Sequence, residues 1–206
     1  MHLLKTAALI LCTSLGAAFA CPVPADMSKG VTVKTISPRG EGNTFTYRKS
    51  GPGRVDEIRK SYWLGTSNTV ARVLQHGLLP TSQTILQAPK GSQILQDETY
   101  DYHGANIAGL TLSPNTSFAL KTTMQAADGF SKTTTTTYQL SAAKSKKVAR
   151  CRVKIINIKA TQNWDGIKTV YTYVYFADFG FAVRTKAKYP SRTTSREILS
   201  IEPSKR

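Results

Sequence analysis

"YVYFADFGFAVRTKAKY", Tyr173 to Tyr189, is the most regular stretch of the chain. It reads as two strands around a short turn at Asp178–Gly180. Strand side chains alternate faces with a period of two. Phe181, Val183, Thr185 and Ala187 are therefore expected on one face, and Ala182, Arg184, Lys186 and Lys188 on the other. One face of the hairpin then belongs to a core and the other carries a row of cations. In the strand before the turn, Tyr171, Tyr173 and Tyr175 share a face, opposite Val170, Thr172, Val174 and Phe176. Such a tyrosine row is more often cross-strand packing than a stack for sugar rings or a lipid interface.

The same grammar runs through most of the chain. Thr, Val, Tyr, Ile and Phe cluster in runs bounded by Gly, Pro, Asn and Ser, which is the signature of strands. Runs at Val31–Ile36, Asn43–Lys49, Glu57–Leu64, Ser92–Tyr102, Leu110–Leu112, Ser117–Met124, Lys132–Leu140 and Val148–Ile158 all fit. The tract "SKTTTTTYQL" is simple in composition, yet consecutive β-branched threonines favour a half-wet strand. One segment reads as helix: in "TSNTVARVLQHGLLP", Asn68 can cap, Val70, Val73 and Leu74 share a face, and Gly77 ends the turn. A short helix is predicted at Thr69–His76, with a strand as the alternative. The fold class is mainly β, a curved antiparallel sheet or open barrel with at most one or two short helices.

The opening "MHLLKTAALILCTSLGAAFA" has a lysine, a short apolar run and an Ala18-Phe19-Ala20 ending. That is the layout of a secretory leader cleaved after an A-x-A site, and the run is too short to span a membrane. Residues 1–20 are assigned as a signal peptide and 21–206 as a single β-rich domain. Cleavage after Ala20 makes Cys21 the first mature residue, where a lipid anchor is the alternative to plain secretion. Cys12 leaves with the leader, so Cys21 and Cys151 remain. They either form one disulfide or leave Cys151 as a buried thiol, and lipidation of Cys21 would preclude the bridge.

Charge is one-sided. The chain carries +16, or +15 without Lys5 of the leader. From Cys21 to Asp128, 11 Lys and Arg stand against 8 Asp and Glu; from Gly129 to Arg206, 16 stand against 4. Arg150, Arg152 and Lys154 alternate with Cys151, Val153 and Ile155, and Lys144, Lys146 and Lys147 precede them. With Arg184, Lys186 and Lys188 they would form one cationic surface if the strands share a sheet. Such a surface attracts phosphate-bearing polymers and anionic headgroups, although it also keeps sheet edges soluble. An exported protein meets lipid, lipopolysaccharide and cell-wall polymer, so nucleic acid is disfavoured as a partner.

Catalytic signals are weak. In "QDETYDYHG", Asp97, Asp101 and His103 would point the same way on a strand, a set able to move protons or hold a metal. No third spaced partner accompanies them, and His76 is the only other histidine of the mature chain. A salt-linked surface is the better reading. The chain carries no G-x-S-x-G, H-E-x-x-H, phosphate-loop or C-x-x-C motif. No catalytic residue, metal or cofactor is assigned.

The segment "CRVKIINIKATQNWDGIKTVYTYVYFADFGFAVRTK" with the closing "REILSIEP" resembles the final strands of periplasmic curved-sheet proteins of the lipoprotein-carrier type. The likeness lies in the order of strand, Trp164-Asp165-Gly166 turn, aromatic strand, Phe-Gly turn and cationic strand, over about a quarter of the chain. It implies an open barrel sheltering something apolar, and carries over no site residue. The expectation is a non-catalytic exported envelope protein, in the periplasm, secreted or anchored to the outer membrane through Cys21. It would bind an anionic or amphipathic envelope component through a cationic sheet face. The alternatives are a small secreted hydrolase using Asp101 and His103, and a structural or adaptor protein whose charge sets only solubility.

Overall fold

The computed structural model describes residues 20–63, 66–88 and 97–204. The leader up to residue 19, and the opening of the strand expected from Ser92, lie outside the described residues. A 3-10 turn at Pro24–Ser28 leads into β1 (Val31–Ile36), β2 (Gly42–Gly51), β3 (Arg54–Trp63), β4 (Thr66–Gln75) and β5 (Leu79–Gln87). Next come β6 (Glu98–Asp101), β7 (Ser117–Ala126), β8 (Ser131–Leu140), β9 (Lys144–Val148) and β10 (Cys151–Trp164). The chain closes with β11 (Ile167–Phe176), β12 (Phe181–Lys188), β13 (Thr193–Ser195) and β14 (Glu197–Pro203).

These strands form one antiparallel sheet in the order β13-β12-β11-β10-β8-β7-β6-β5-β4-β3-β2-β1-β14, with β9 added to the first half of β10. The two ends of this order, β13 and β14, are separated in sequence by Arg196 alone. The chain itself therefore carries the sheet from one edge to the other, and the result is a barrel-like sheet with one unsealed seam. Arg196 N–H donates to the Thr185 carbonyl at 2.7 Å, pinning the crossing. The mainly β reading of the sequence stands.

Two apolar clusters fill the structure. Val31 and Val33 of β1, Phe45 and Tyr47 of β2 and Ile201 of β14 meet Val153, Ile155, Val174, Phe176, Phe181 and Val183 across the seam. Tyr47 stacks on Phe181 with ring centroids 4.1 Å apart. The second cluster gathers Leu79, Leu120, Leu140, Ile156, Ile158 and Tyr175. Ile107, Leu110 and Leu112, in the long β6–β7 connection, pack against it. Cys21 and Cys151 form a disulfide, which ties the segment before β1 to β10.

Three expectations change. The predicted helix at Thr69–His76 is strand β4, hydrogen-bonded to β3 and β5 on both sides. Val70 and Leu74 are buried and four apart, the spacing of a helix face, but they lie on the same side of a strand with Arg72 between them. Leu110–Leu112 is loop, used to cover the core. Val148–Ile158 is broken by a turn at Ala149 and Arg150, where Ala149 has φ 51°.

The hairpin of the opening stretch forms as read, with one change. Tyr173 pairs with Arg184, but Thr172 pairs with Lys186, so a bulge at Thr185 shifts the register. A bulge adds one residue on one strand and reverses the faces beyond it. Arg184 therefore shares its face with Tyr173, while Lys186 and Lys188 lie on the opposite one.

Candidate functional site: an arginine-lined chamber

Inside the barrel, the inward residues of β2 to β6 are directly opposed across the strands. Tyr47 faces Glu57, Glu57 faces Arg72, Arg72 faces Gln83 and Gln83 faces Glu98. Their side chains join in a chain of contacts. Arg72 Nη1 meets Glu57 Oε1 at 3.3 Å and its Nε donates to Gln83 Oε1 at 2.6 Å. Gln83 Nε2 donates to Glu98 Oε2 at 3.0 Å, and Tyr100 Oη donates to the same oxygen. One layer further, Arg59 faces Phe45 on β2 and Val70 on β4.

From the other wall come Tyr171 and Tyr173 of β11, Arg184 of β12 and Arg196 at the seam. Together these walls enclose a chamber of about 240 Å³ whose ionisable lining, tyrosines aside, is Glu57, Arg59, Arg72, Arg184 and Arg196. Four guanidiniums thus share the space with one lining carboxylate. Glu41 approaches Arg196 at 3.9 Å from outside the lining. The Nε atoms of Arg59 and Arg196 are buried without a hydrogen-bond partner. Arg72 and Arg196 keep 28% and 25% of their side chains exposed, so solvent reaches the chamber.

The electrostatics follow from that crowding. Burial, then the charge of Arg72, pushes the Arg59 guanidinium down to about 10, with Glu57 opposing and Arg184 and Arg196 adding to the shift. Burial and Arg184 lower Arg196 in the same way, against Glu41. Burial raises the phenol of Tyr173, and Tyr100 is raised by burial and by its bond to Glu98. Desolvated like charges destabilise a fold unless something neutralises them. The chamber has the chemistry to accept an anion, with tyrosine rings beside it.

A second chamber of about 210 Å³ adjoins the first through Pro80, Tyr100 and Gln162. Its walls include Tyr102, Tyr138, Thr122, Thr134 and Thr136. The threonine tract thus sends Thr134 and Thr136 inward and Thr133, Thr135 and Thr137 outward.

The residues singled out from the sequence fall in several places. Arg152 and Lys154 are exposed on β10, and Lys147 lies opposite Arg152 on β9. Arg150 is exposed in the preceding turn. Lys186 and Lys188 are exposed on the other face of the sheet from Arg152 and Lys154, so the expected single row of cations is divided. Arg184 is half-buried in the chamber. Tyr171 and Tyr173 line the chamber, whereas Tyr175 is buried in the apolar cluster.

The acidic island does not assemble. Asp101 Oδ1 accepts the His103 N–H at 2.9 Å, and His103 Nε2 contacts Thr123 Oγ1 at 2.7 Å. Asp97 is exposed, and His76 Nε2 lies 2.8 Å from the Ile107 carbonyl. Among the described residues no three His, Cys, Asp or Glu side chains are grouped to hold a metal. Arg59, Arg72, Arg196, Tyr47 and Tyr100 were not legible as a site from composition or motif. A signal existed: Val55-Asp56-Glu57-Ile58-Arg59 and Val70-Ala71-Arg72-Val73-Leu74 place charges at the inward phase of a strand.

The geometry defines a mainly β, barrel-like protein with a polar, cation-rich interior. No protein-family model and no curated protein matches the chain. Among solved structures it is similar to the hypothetical lipoprotein YmcC from Escherichia coli K12, at 8% sequence identity and a TM-score of 0.43. That likeness covers 82% of this chain and 87% of the other. It transfers neither ligand nor site residue.

Proposed function

We propose that this chain is a non-catalytic exported envelope protein that holds an anionic envelope component inside its barrel. The seat of the anion is the cluster of Arg59, Arg72, Arg184 and Arg196, in place of the outer lysine row suggested by the sequence. The observation that carries the reading is the excess of half-buried guanidinium over carboxylate in a solvent-connected chamber. Bidentate hydrogen bonding to phosphate or carboxylate is the particular capability of arginine. The outer cations Arg150, Arg152, Lys154, Lys186 and Lys188 would then serve attraction to an anionic surface, a screened and long-range role. Envelope location rests on the leader-like residues 1–20. In the disulfide, the Cys21 sulfur is unavailable for a thioether-linked lipid, which favours periplasmic or secreted placement over an anchor.

Native mass spectrometry of the protein from the envelope fraction tests this reading. The expected result is a chain starting at Cys21 with an acidic adduct, lost in the Arg59→Gln, Arg184→Gln variant. A folded wild type without an adduct, or the same adduct on both proteins, would contradict it.

A further inference from the structure

The second chamber says what the anion is attached to. Its lining mixes polar and apolar groups: Tyr102, Tyr138, Thr122, Thr134, Thr136 and Gln162 bring ring faces, hydroxyls and an amide into one space beside Pro80, Met124 and Lys132. Thr134 and Thr136 are buried, and Gln162 Nε2 donates to Thr134 Oγ1 at 3.4 Å while Tyr171 Oη donates to Gln162 Oε1 at 3.4 Å. Gln162 thereby joins the two chambers, since it lines both. An acyl chain in this place would lie against hydroxyl and amide groups and use none of the hydrogen-bonding capacity left over from their bonds to one another. A sugar ring meets the same wall well. Its C–H faces lie on tyrosine rings and its hydroxyls exchange hydrogen bonds with threonine, tyrosine and glutamine.

We infer that the interior binds an acidic saccharide, with its phosphate or carboxylate on the arginines and its adjoining sugar ring among the tyrosines and threonines of the second chamber. This rests on the anion-binding reading above and narrows it from lipid, lipopolysaccharide or polymer to the glycan part of such a molecule. Lys132 fits the same arrangement. It lines the second chamber, and its Nζ stands 4.0 Å from the centre of the Trp164 ring, leaving a cation beside the sugar for a further acidic group.

The test is a calorimetric titration of the full mature chain with inorganic phosphate, glucose 1-phosphate, a glucuronate-containing disaccharide and phosphatidylglycerol vesicles. The expected result is that one or both acidic sugars bind at least about tenfold more tightly than phosphate, with vesicles weaker than both. Which sugar binds separates a phosphate from a carboxylate source. Thr136→Val, and independently Thr122→Val if the first variant fails to fold, should lower the sugar affinity about tenfold and leave phosphate binding unchanged. Equal affinity for phosphate and both sugars, unchanged sugar affinity in the folded variants, or vesicles binding more tightly than the sugars would overturn this inference while leaving anion binding intact. No binding of any of the four would overturn the anion-binding reading itself.

Discussion

Arg59 stands where a strand residue ordinarily contributes hydrocarbon: Phe45 and Val70 flank it across the sheet. Holding a guanidinium there opposes folding, and the tyrosines around it show the same environment from the other side. Burial raises the phenols of Tyr47, Tyr100, Tyr102, Tyr138, Tyr171, Tyr173 and Tyr175. A group whose folded pKa exceeds its unfolded value contributes stability that is complete below the unfolded value, about 10 for tyrosine. That stability is lost as pH rises above it, because the unfolded chain releases its protons first. Arg59 acts in the opposite sense over the range above about 10, but as one group against seven. Alkaline titration of phenolate absorbance should therefore show most of the nine tyrosines ionising only together with unfolding, above pH 10. A reversible titration of most of them near pH 10, with circular dichroism unchanged, would place the tyrosine rows on the outside.

At the scale of the element, Gly77 shows how tightly the β4–β5 turn meets the start of β12. Its φ is +60°, and a Cβ there would lie 2.2 Å from the Gly180 carbonyl oxygen and 2.4 Å from Phe181 Cα. The same turn accepts the Ala182 N–H at the Gly77 carbonyl, 2.9 Å away, while the Ala182 carbonyl accepts the Tyr47 hydroxyl at 3.2 Å. Gly77→Ala should thus destabilise the fold by about 3 kcal/mol or more in urea denaturation, through backbone strain and displacement of β12. Gly40→Ala, at φ +81° with nothing within 4 Å, should lose only about 1 kcal/mol. Similar losses for both would mean that the turn does not pack on β12. Much of the element layout was legible because alternation is a local property: β1, β2, β7, β8, β11 and β12 lie close to where their β-branched and aromatic runs put them. β4 was less legible because an inward Arg72 between Val70 and Leu74 turns a period of two into an apparent period of four. The β12 cations were misassigned for a related reason. A single bulge at Thr185 reverses every face after it, and "AVRTKAKY" carries no glycine or proline to mark it.

For the whole molecule, closure creates the site. The guanidiniums of Arg59 and Arg72 come from β3 and β4, and those of Arg184 and Arg196 from β12 and the seam, so only the completed barrel brings them together. Nothing local in the sequence could reveal this meeting. The halves are joined at the seam by Arg196, which runs from β13 into β14, and by the Cys21–Cys151 disulfide. The Cys151 sulfur also lies 3.9 Å from the Ile201 carbonyl of β14. Outer and inner cations consequently differ in kind. Lys186 and Lys188 are exposed, and exposed charges contribute little energy and are screened by salt. The inner arginines are half-buried and line one small volume. Equilibrium titration with inorganic pyrophosphate at physiological ionic strength separates the two most directly, comparing Arg59→Gln with Arg184→Gln against Lys186→Gln with Lys188→Gln, two pairs of equal charge change. The inner pair is expected to weaken binding at least about tenfold, equivalent to about 1.4 kcal/mol, and the outer pair less than twofold. Equal losses from the two folded double variants, or a greater loss from the outer pair, would contradict an interior seat for the anion.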